Sequence, residues 1–531
     1  MITVKLLIFS LSLLLGCCIW NVLSCKSVDF GNGGTACVCD ENYCDFIGPA
    51  KKPGGNGYVI YTSNLAGLRF NASYGKFIQD NGNSGSKKKH FKHLINKKKH
   101  EKRDYDNTIL ELNEDVTYQS IFGFGGAFTD STGFNIKSLP LKLQTAIMIS
   151  YFGMEGIEYN VGRVPIGGTD FSPYSYSYDD GPEDKNLTNF ALKDLDYKYK
   201  IPFVKEAKIL NDELELYGSA WTAPIWMKTN NSTVGGTIKP EMYQTWANYY
   251  VKFLEEYEKN NISFWGITTG NEPSLALFPL ILANVNTVGW TPDQLAKWVS
   301  ENYGPTLRNS KYKDIKLMAM DDQRYFLPGL YKVLDGPTNA SSYIDGIAVH
   351  WYLDKYVPAT TLNTTHYKYE DKFILSTEAC EGSTRVDKGV RLGNWQRGEN
   401  YAKDIIDDLN NWVIGWVDWN MAINMTGGPT YVENIVDAPI IVDGKSKVFY
   451  KNPMYYAMGH FSKFLPRGSR RISLTGDYTN LDIVAFKKPK GGIAIEILNR
   501  YNYSIPLKIR YKNNKLISLN VTPKSMNTVY W

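Results

Sequence analysis

The stretch Ile262-Ser-Phe-Trp-Gly-Ile-Thr-Thr-Gly-Asn-Glu-Pro-Ser274 is a short apolar run that ends on Asn271-Glu272-Pro273. Its apolar half reads as a buried strand and its polar half as the loop that follows. A second run, Phe373-Ile-Leu-Ser-Thr-Glu-Ala-Cys380, ends in the same way on Glu378. Working outward, the pattern recurs at Phe122–Asp130, Tyr159–Pro165, Leu216–Trp221, Ile315–Asp321, Ile344–Tyr352 and Val413–Asn420. Helical patterns lie between several of these runs. From Pro240 to Asn260, Met242, Trp246, Tyr249, Phe253 and Tyr257 form one stripe at helical spacing. Thr291-Pro292 is an N-cap followed by Pro at the first helical position, which predicts a helix through Tyr303. Alternation of this kind argues for an α/β chain built as a (β/α)8 TIM barrel rather than an open, doubly wound sheet.

The open sheet has one specific test. A dinucleotide-binding fingerprint needs glycine or alanine at its sixth position, and in Gly123-Phe-Gly-Gly-Ala-Phe128 that position holds Phe128. These glycines instead suit close passage of the backbone past a neighbour. In a barrel the C-terminal strand ends converge on one face, so Glu272 and Glu378 are expected to meet there. A converging carboxylate pair is what glycoside hydrolysis needs. Either glutamate alone is an ordinary loop residue; the surrounding pattern gives the pair its weight.

At 531 residues the chain exceeds one barrel by enough for further domains. Aromatic content is 14%, and most of these rings are expected to fill a large core. Only Trp221, Tyr352 and Trp419, at strand ends, are candidates for stacking on a sugar. Residues 1–24 read as a secretory signal peptide: Lys5 precedes an apolar run to Trp20 that is too short to span a bilayer comfortably, and small residues follow before Cys25. Cys25, Cys37, Cys39 and Cys44 cluster as expected of a two-disulfide knot in an oxidising compartment. Zinc is the competing reading, and the absence of a nearby histidine disfavours it. Cys380 reads as a buried structural thiol. Sequons at Asn186, Asn261, Asn339, Asn363, Asn502 and Asn520 fit a secreted or lysosomal glycoprotein.

Residues 82–103 form a basic low-complexity insert holding Ser86-Lys-Lys-Lys-His90 and Lys97-Lys-Lys-His100. Nucleic-acid or membrane binding is one reading of such runs; a solvated loop is the simpler one, and no nucleic-acid partner is expected. Much of the net charge of +5 comes from here, as do His90, His93 and His100, half of the six histidines. Beyond Val442 the pattern changes. Phe449–Phe464 reads as a last helix, and Leu481–Phe486, Ile493–Leu498 and Ile505–Ile509 read as strands of an antiparallel β-sandwich. Short strands between Tyr58 and Val116 suggest that both ends of the chain build one discontinuous sandwich. The expected organisation is a knotted β element at 25–55 with 423–449, a sandwich at 56–117 with 469–531, and a barrel at 118–422 with 450–468.

Matching runs now become specific. Phe124-Gly-Gly-Ala-Phe-Thr-Asp130, Arg163-Val-Pro165, Asp170-Phe-Ser172, Asn271-Glu-Pro-Ser274, Asp321-Asp-Gln-Arg324, Gly346–Tyr352, Glu378-Ala-Cys380, Asp418-Trp-Asn420 and Gly459–Lys463 resemble the acid β-glucosidases of glycoside hydrolase family thirty. The resemblance runs from Cys25 to Trp531 apart from the basic insert. It implies Glu378 as nucleophile and Glu272 as acid/base, with Asn271 holding the sugar 2-hydroxyl. Asp170, Trp221, Trp419 and Asn434 would line the glucose pocket, and Arg163 and Tyr352 would position the nucleophile. It also implies the pairs Cys25–Cys37 and Cys39–Cys44, no cofactor and no metal. The implied substrate is glucosylceramide at a membrane surface, with a saposin-like activator and anionic phospholipid as partners, in the lysosome. Gly270 and Glu381 depart from the family pattern, and Glu381 adds an acid beside the nucleophile strand.

The chemistry stands beside the resemblance. A retaining mechanism needs carboxyls about 5–5.5 Å apart, one ionised and one protonated, and unlike environments must separate them. Arg163 is expected to keep Glu378 ionised, and that charge to raise the pKa of Glu272. A related β-xylosidase or β-1,6-glucanase would share both glutamates, whereas a glycan- or lipid-binding relative would need neither. The apolar stretch Leu275–Leu282 is expected to form a lipid-accepting rim.

Overall fold

The computed structural model describes residues 25–80, 109–277, 284–327 and 332–531. The expected signal peptide, the basic insert and positions 278–282 of the expected rim lie outside the described residues.

Eight parallel strands close into a barrel: β1 Gly123–Ala127, β2 Val161–Ile166, β3 Glu215–Ala220, β4 Gly266–Thr268, β5 Lys316–Gln323, β6 Gly346–His350, β7 Phe373–Glu378 and β8 Val413–Asn420. Each lies within or beside an apolar run of the sequence. The ring closes where β8 pairs with β1, Gly415 opposite Gly123. The β1 glycines serve close backbone passage: a Cβ on Gly125 would collide with the Val161 carbonyl of β2. Inside the barrel, Phe122, Val161, Tyr217, Met318, Ala348, Leu375 and Val417 pack as one cluster.

Two helix boundaries differ from expectation. Thr291 completes a capping box with Gln294, and the helix starts at Pro292 as expected. It continues past Tyr303 to Arg308 through a wide π turn at Val299–Tyr303. Pro305 has no N–H to give an α-helical bond, so the backbone widens just before it. At the other end, the helix expected from Phe449 begins only at Pro453 and runs to Ser462. Val448–Lys451 is instead a strand paired with the Cys37–Cys39 backbone and with Ile440–Asp443. The extended Asn452 before Pro453 separates strand from helix.

That strand belongs to a five-stranded sheet with Ser27–Asp29, Thr35–Cys39, Ile440–Asp443 and Ala422–Asn424. Two disulfides fasten its start: Cys25–Cys37 and Cys39–Cys44, with Cα atoms 5.4 and 4.3 Å apart. A third sheet has ten strands in the order 71–76, 57–64, 525–530, 493–499, 482–487, 470–475, 109–120, 505–511, 515–521, 78–79. Residues before the barrel thus hydrogen-bond directly to the C-terminal strands. The sandwich is not wholly antiparallel. Ile505–Tyr511 runs parallel to the start of Ile109–Ser120, Ile509 opposite Leu110. The long 109–120 strand bends across both halves, pairing on its other edge with Arg470–Thr475 through two register shifts.

Candidate active site

Glu272 and Glu378 stand at the C-terminal ends of β4 and β7, both buried. One oxygen of Glu272, one of Glu378 and a ring nitrogen of His350 all lie within 4.8 Å of one another. The backbone is bent to achieve this. Glu272 has φ of 41°, and on β5 Met320 and Asp321 have φ of 79° and 48°, where the β5–β6 register shifts. Such conformations are sparsely populated for residues with a Cβ. The Glu272 amide donates to the Asp321 carbonyl at 2.9 Å, which holds the bend.

Each glutamate has its own partners. Arg163, fully buried on β2, makes an ion pair with Glu378 Oε2. Its other terminal nitrogen donates to Asn271 Oδ1 and Asp321 Oδ2, both at 2.8 Å. Tyr352 Oη donates to Glu378 Oε1 at 2.7 Å. Glu272 Oε1 instead accepts from Gln323 Nε2 at 2.7 Å and lies 3.0 Å from His350 Nδ1. The other His350 nitrogen lies 3.0 Å from Asp321 Oδ1, and Asp321 also accepts from Ser219 at 2.6 Å and Thr377 at 2.7 Å.

These surroundings separate the charges. Burial lifts the Glu272 carboxyl to about 7; His350 opposes the rise and the Glu378 charge assists it. The sequence reading gave that role to Glu378, and burial is the larger cause. Burial alone would lower His350, but Glu378, Asp321 and Glu272 together raise it to about 10. Burial would raise Asp321, and Arg163 and His350 outweigh it, holding the carboxyl well below the usual range.

A cluster of aromatic rings adjoins the pair. Trp221 and Trp419 stack at 4.9 Å between centroids, and the Arg163 guanidinium sits 4.7 Å from the Trp221 ring. Phe171 meets Trp419 edge-on at 6.1 Å. Asn434 Nδ2 donates to Asp170 Oδ2 at 2.8 Å. Burial, ahead of the neighbouring Glu378 and Glu272 charges, raises Asp170 to about 7. Asp170 thus joins the same electrostatic neighbourhood as both glutamates.

The structure thereby brings Arg163, Asp170, Trp221, Asn271, Glu272, Tyr352, Glu378, Trp419 and Asn434 to one face. Glu381 points elsewhere: its carboxylate accepts from Asn400 on the helix Trp395–Asn410, at 2.7 Å. Cys380 is a buried free thiol 3.6 Å from Tyr352 Oη, and burial pushes it well up. Sequence reasoning missed His350, Asp321, Gln323 and Ser219. Asp321 ends one of the eight runs and His350 lies two residues before the end of another, so strand-end position was the available signal; the histidines of the basic insert drew attention away.

Comparison with known proteins places the domains in a family. Residues 121–465 match the glycosyl hydrolase family 30 TIM-barrel domain, and residues 468–529 match that family's β-sandwich domain. The chain is 39% identical to the lysosomal acid glucosylceramidase of Mus musculus, over 96% of this chain and 95% of that protein. It is 40% identical to putative glucosylceramidase 3 of Caenorhabditis elegans, over 95% and 94%. Among solved structures, SrfJ from Salmonella typhimurium superposes with a TM-score of 0.78 at 22% identity, covering 90% of this chain and 99% of that one. A glutamate-bearing barrel, its companion sandwich and near-full-length relatives lead to one conclusion: this chain is a glycoside hydrolase and belongs to glycosyl hydrolase family 30.

Proposed function

We propose that the chain is a retaining β-glucosidase that cleaves glucosylceramide to glucose and ceramide. The observation that carries the retaining reading is the close approach of Glu272 and Glu378, whose oxygens lie within 4.8 Å of each other. Retaining enzymes hold their carboxyls about 5–5.5 Å apart, and inverting ones about 6.5–9.5 Å, to admit a water. Glu378, paired with Arg163 and Tyr352, is the nucleophile. Glu272, lifted to about 7 by burial, is the acid that protonates the leaving oxygen and then the base that activates water. Asn271, held through its Oδ1 by Arg163, has its amide nitrogen for the sugar 2-hydroxyl. Trp221, Trp419, Asp170 and Asn434 form the glucose pocket. This chemistry uses the chain's own carboxylates and calls on no metal or cofactor. A panel of chromogenic β-glycosides, with the first-formed product anomer read by NMR, tests the reading. Preference for a xyloside or a β-1,6-glucan would replace the substrate, an inverted anomer would replace the mechanism, and no turnover at all would point to a binding protein.

The lipid substrate is supported by the glucosylceramidase relatives, and lysosomal delivery through the secretory pathway by the mouse protein. No helix among the described residues is long and apolar enough to cross a membrane. In this reading the substrate is reached from the membrane surface, assisted by anionic phospholipid or a saposin-like activator. Leu275–Leu277 is the described part of the apolar rim beyond Glu272, and Leu277 is 40% exposed. Replacing Leu277 and Phe278 with Ser is expected to lower turnover of glucosylceramide in vesicles by about tenfold or more, as lost apolar contact would. Turnover of a soluble aryl glucoside should stay near wild type, and a matching fall on both substrates would remove the rim from the reading.

A further inference from the structure

The loop that carries Tyr352 is tied down at a point the reaction does not touch. Arg324, in the turn Arg324–Phe326 directly after β5, donates from one terminal nitrogen to the carbonyls of Asp354 at 2.8 Å and Val357 at 2.6 Å. Its other terminal nitrogen faces three carboxylates: Asp354 at 2.9 Å, Asp408 at 3.1 Å and Asp404 at 3.9 Å. One oxygen from each of the three lies within 4.8 Å of the others. Asp404 and Asp408 share one face of the helix Trp395–Asn410, four residues apart. All four side chains are buried.

The charges do not balance. Among the described residues, Arg324 is the one cation ion-paired with these three carboxylates. The neighbouring elements do not supply a second. On the same helix, Lys403 is paired with Asp407 and lies 3.7 Å from Asp482. On the helix Thr360–Lys368, His366 stacks on Trp412 and Lys368 pairs with Asp335. In the loop, Lys355 lies over the Tyr356 ring. From β8, Trp416 Nε1 donates to Asp404 Oδ2 at 2.9 Å. From β7, the buried Ser376 hydroxyl lies beside Asp408 without completing a hydrogen bond. Asp354 Oδ1 and Asp408 Oδ2 are likewise buried without a partner. Uncompensated buried carboxylates of this kind take up protons. A cavity of about 620 Å³ lined by Arg324, Asp354, Asp404 and Tyr352 gives solvent a route to them.

We infer that Arg324, Asp354, Asp404 and Asp408 form a proton-loaded clamp that holds the Trp351–Val357 loop in acid and loosens as the pH rises. In acid, a proton on one carboxyl lets it donate to a neighbouring carboxylate, so that a single guanidinium faces fewer negative charges. On deprotonation the excess charge is left around Arg324, and the loop it pins is released. The consequence reaches the reaction through two positioning contacts. Tyr352 lies in the pinned segment and donates to Glu378, and Gln323 directly precedes Arg324 and donates to Glu272. Burial, then mutual repulsion, raises Asp354 and Asp408 well above the usual carboxyl range, and burial raises Asp404. Raised folded-state values fix the sign. The clamp's contribution is complete below the unfolded carboxyl range near about 4, and is lost as pH climbs through the raised values.

The test uses the full-length chain and two readouts independent of which glycoside is cleaved. Melting temperature is measured from about pH 4.5 to about pH 7.5, and amide exchange of residues 352–357 is compared between proteins at each pH. Asp404→Asn mimics the protonated state, because its amide donates to Asp354 while its oxygen still accepts from Trp416. It is expected to melt with wild type in acid and at least about 2 °C above it near neutrality, with slower exchange in the loop. Asp408→Asn should behave alike, and serves if the first variant does not fold. Arg324→Gln should show the opposite sign, a steeper loss with pH. Parallel melting curves for wild type and both Asn variants would overturn the clamp. So would millimolar calcium abolishing the wild-type slope, since the cluster would then be a metal site.

Discussion

Glu378→Gln is expected to leave a folded protein whose kcat has fallen by at least about 10³-fold, because a neutral amide lacks the negative charge and nucleophilicity that the proposed attack on the anomeric carbon requires. The replacement nearly matches in shape, so it can still accept from Tyr352. Arg163 would lose one charged partner but keep Asp321 and Asn271, so the guanidinium is not stranded. Circular dichroism and melting temperature should therefore stay close to wild type while turnover collapses. A mechanism-based fluorinated glucoside supplies the positive counterpart, and its covalent label should map to Glu378. A label on Glu272 or Glu381 would reassign the nucleophile.

Glu272→Ala is expected to divide substrates by leaving group. In the proposed mechanism poor leaving groups need a proton from Glu272, and their turnover should fall by about 10²–10⁴-fold. An activated aryl glucoside departs unaided, so its first step should be nearly spared. The pH profile carries a second signature. Glu272 must be protonated to act as acid, and burial lifts it to about 7. Wild-type activity on poor leaving groups should thus hold in acid and decline as pH rises through about 7. That alkaline limb should vanish in the variant. Equal losses on both substrate classes would remove Glu272 from the acid role.

What was legible in the sequence was what repeats. Eight apolar runs ending in polar residues announced the barrel, and Thr291 with Pro292 announced a helix start, because both signals are local. Glu272 and Glu378 were legible because strand ends converge in this architecture. The remaining contacts depend on three-dimensional closure. His350 lies between Glu272 and Asp321 only after three separate strands have come together, and no spacing along the chain encodes that. The register shift that turns Asp321 inward, and the parallel pairing of Ile509 with Leu110, arise from bends rather than from residue pattern. Phe449–Lys451 read as helix because its aromatic residues continue into the Pro453 stripe, and only its partner strands reveal its extended form.

The strand Ser525–Tyr530 lies between Gly57–Asn64 and Ile493–Asn499. Synthesis runs in one direction, so the 57–64 strand leaves the ribosome long before its partner exists. At typical elongation rates of about 5–20 residues per second, the intervening chain takes roughly 20–90 s to emerge. For that interval one edge of an early strand offers unpaired amides and carbonyls to any passing backbone. The barrel between them can close meanwhile, but the sandwich waits for Ser525–Tyr530. A truncation that removes this one strand would therefore leave two sheet edges open, those of Gly57–Asn64 and Ile493–Asn499, and turn the loss of six residues into an aggregation hazard out of proportion to its length.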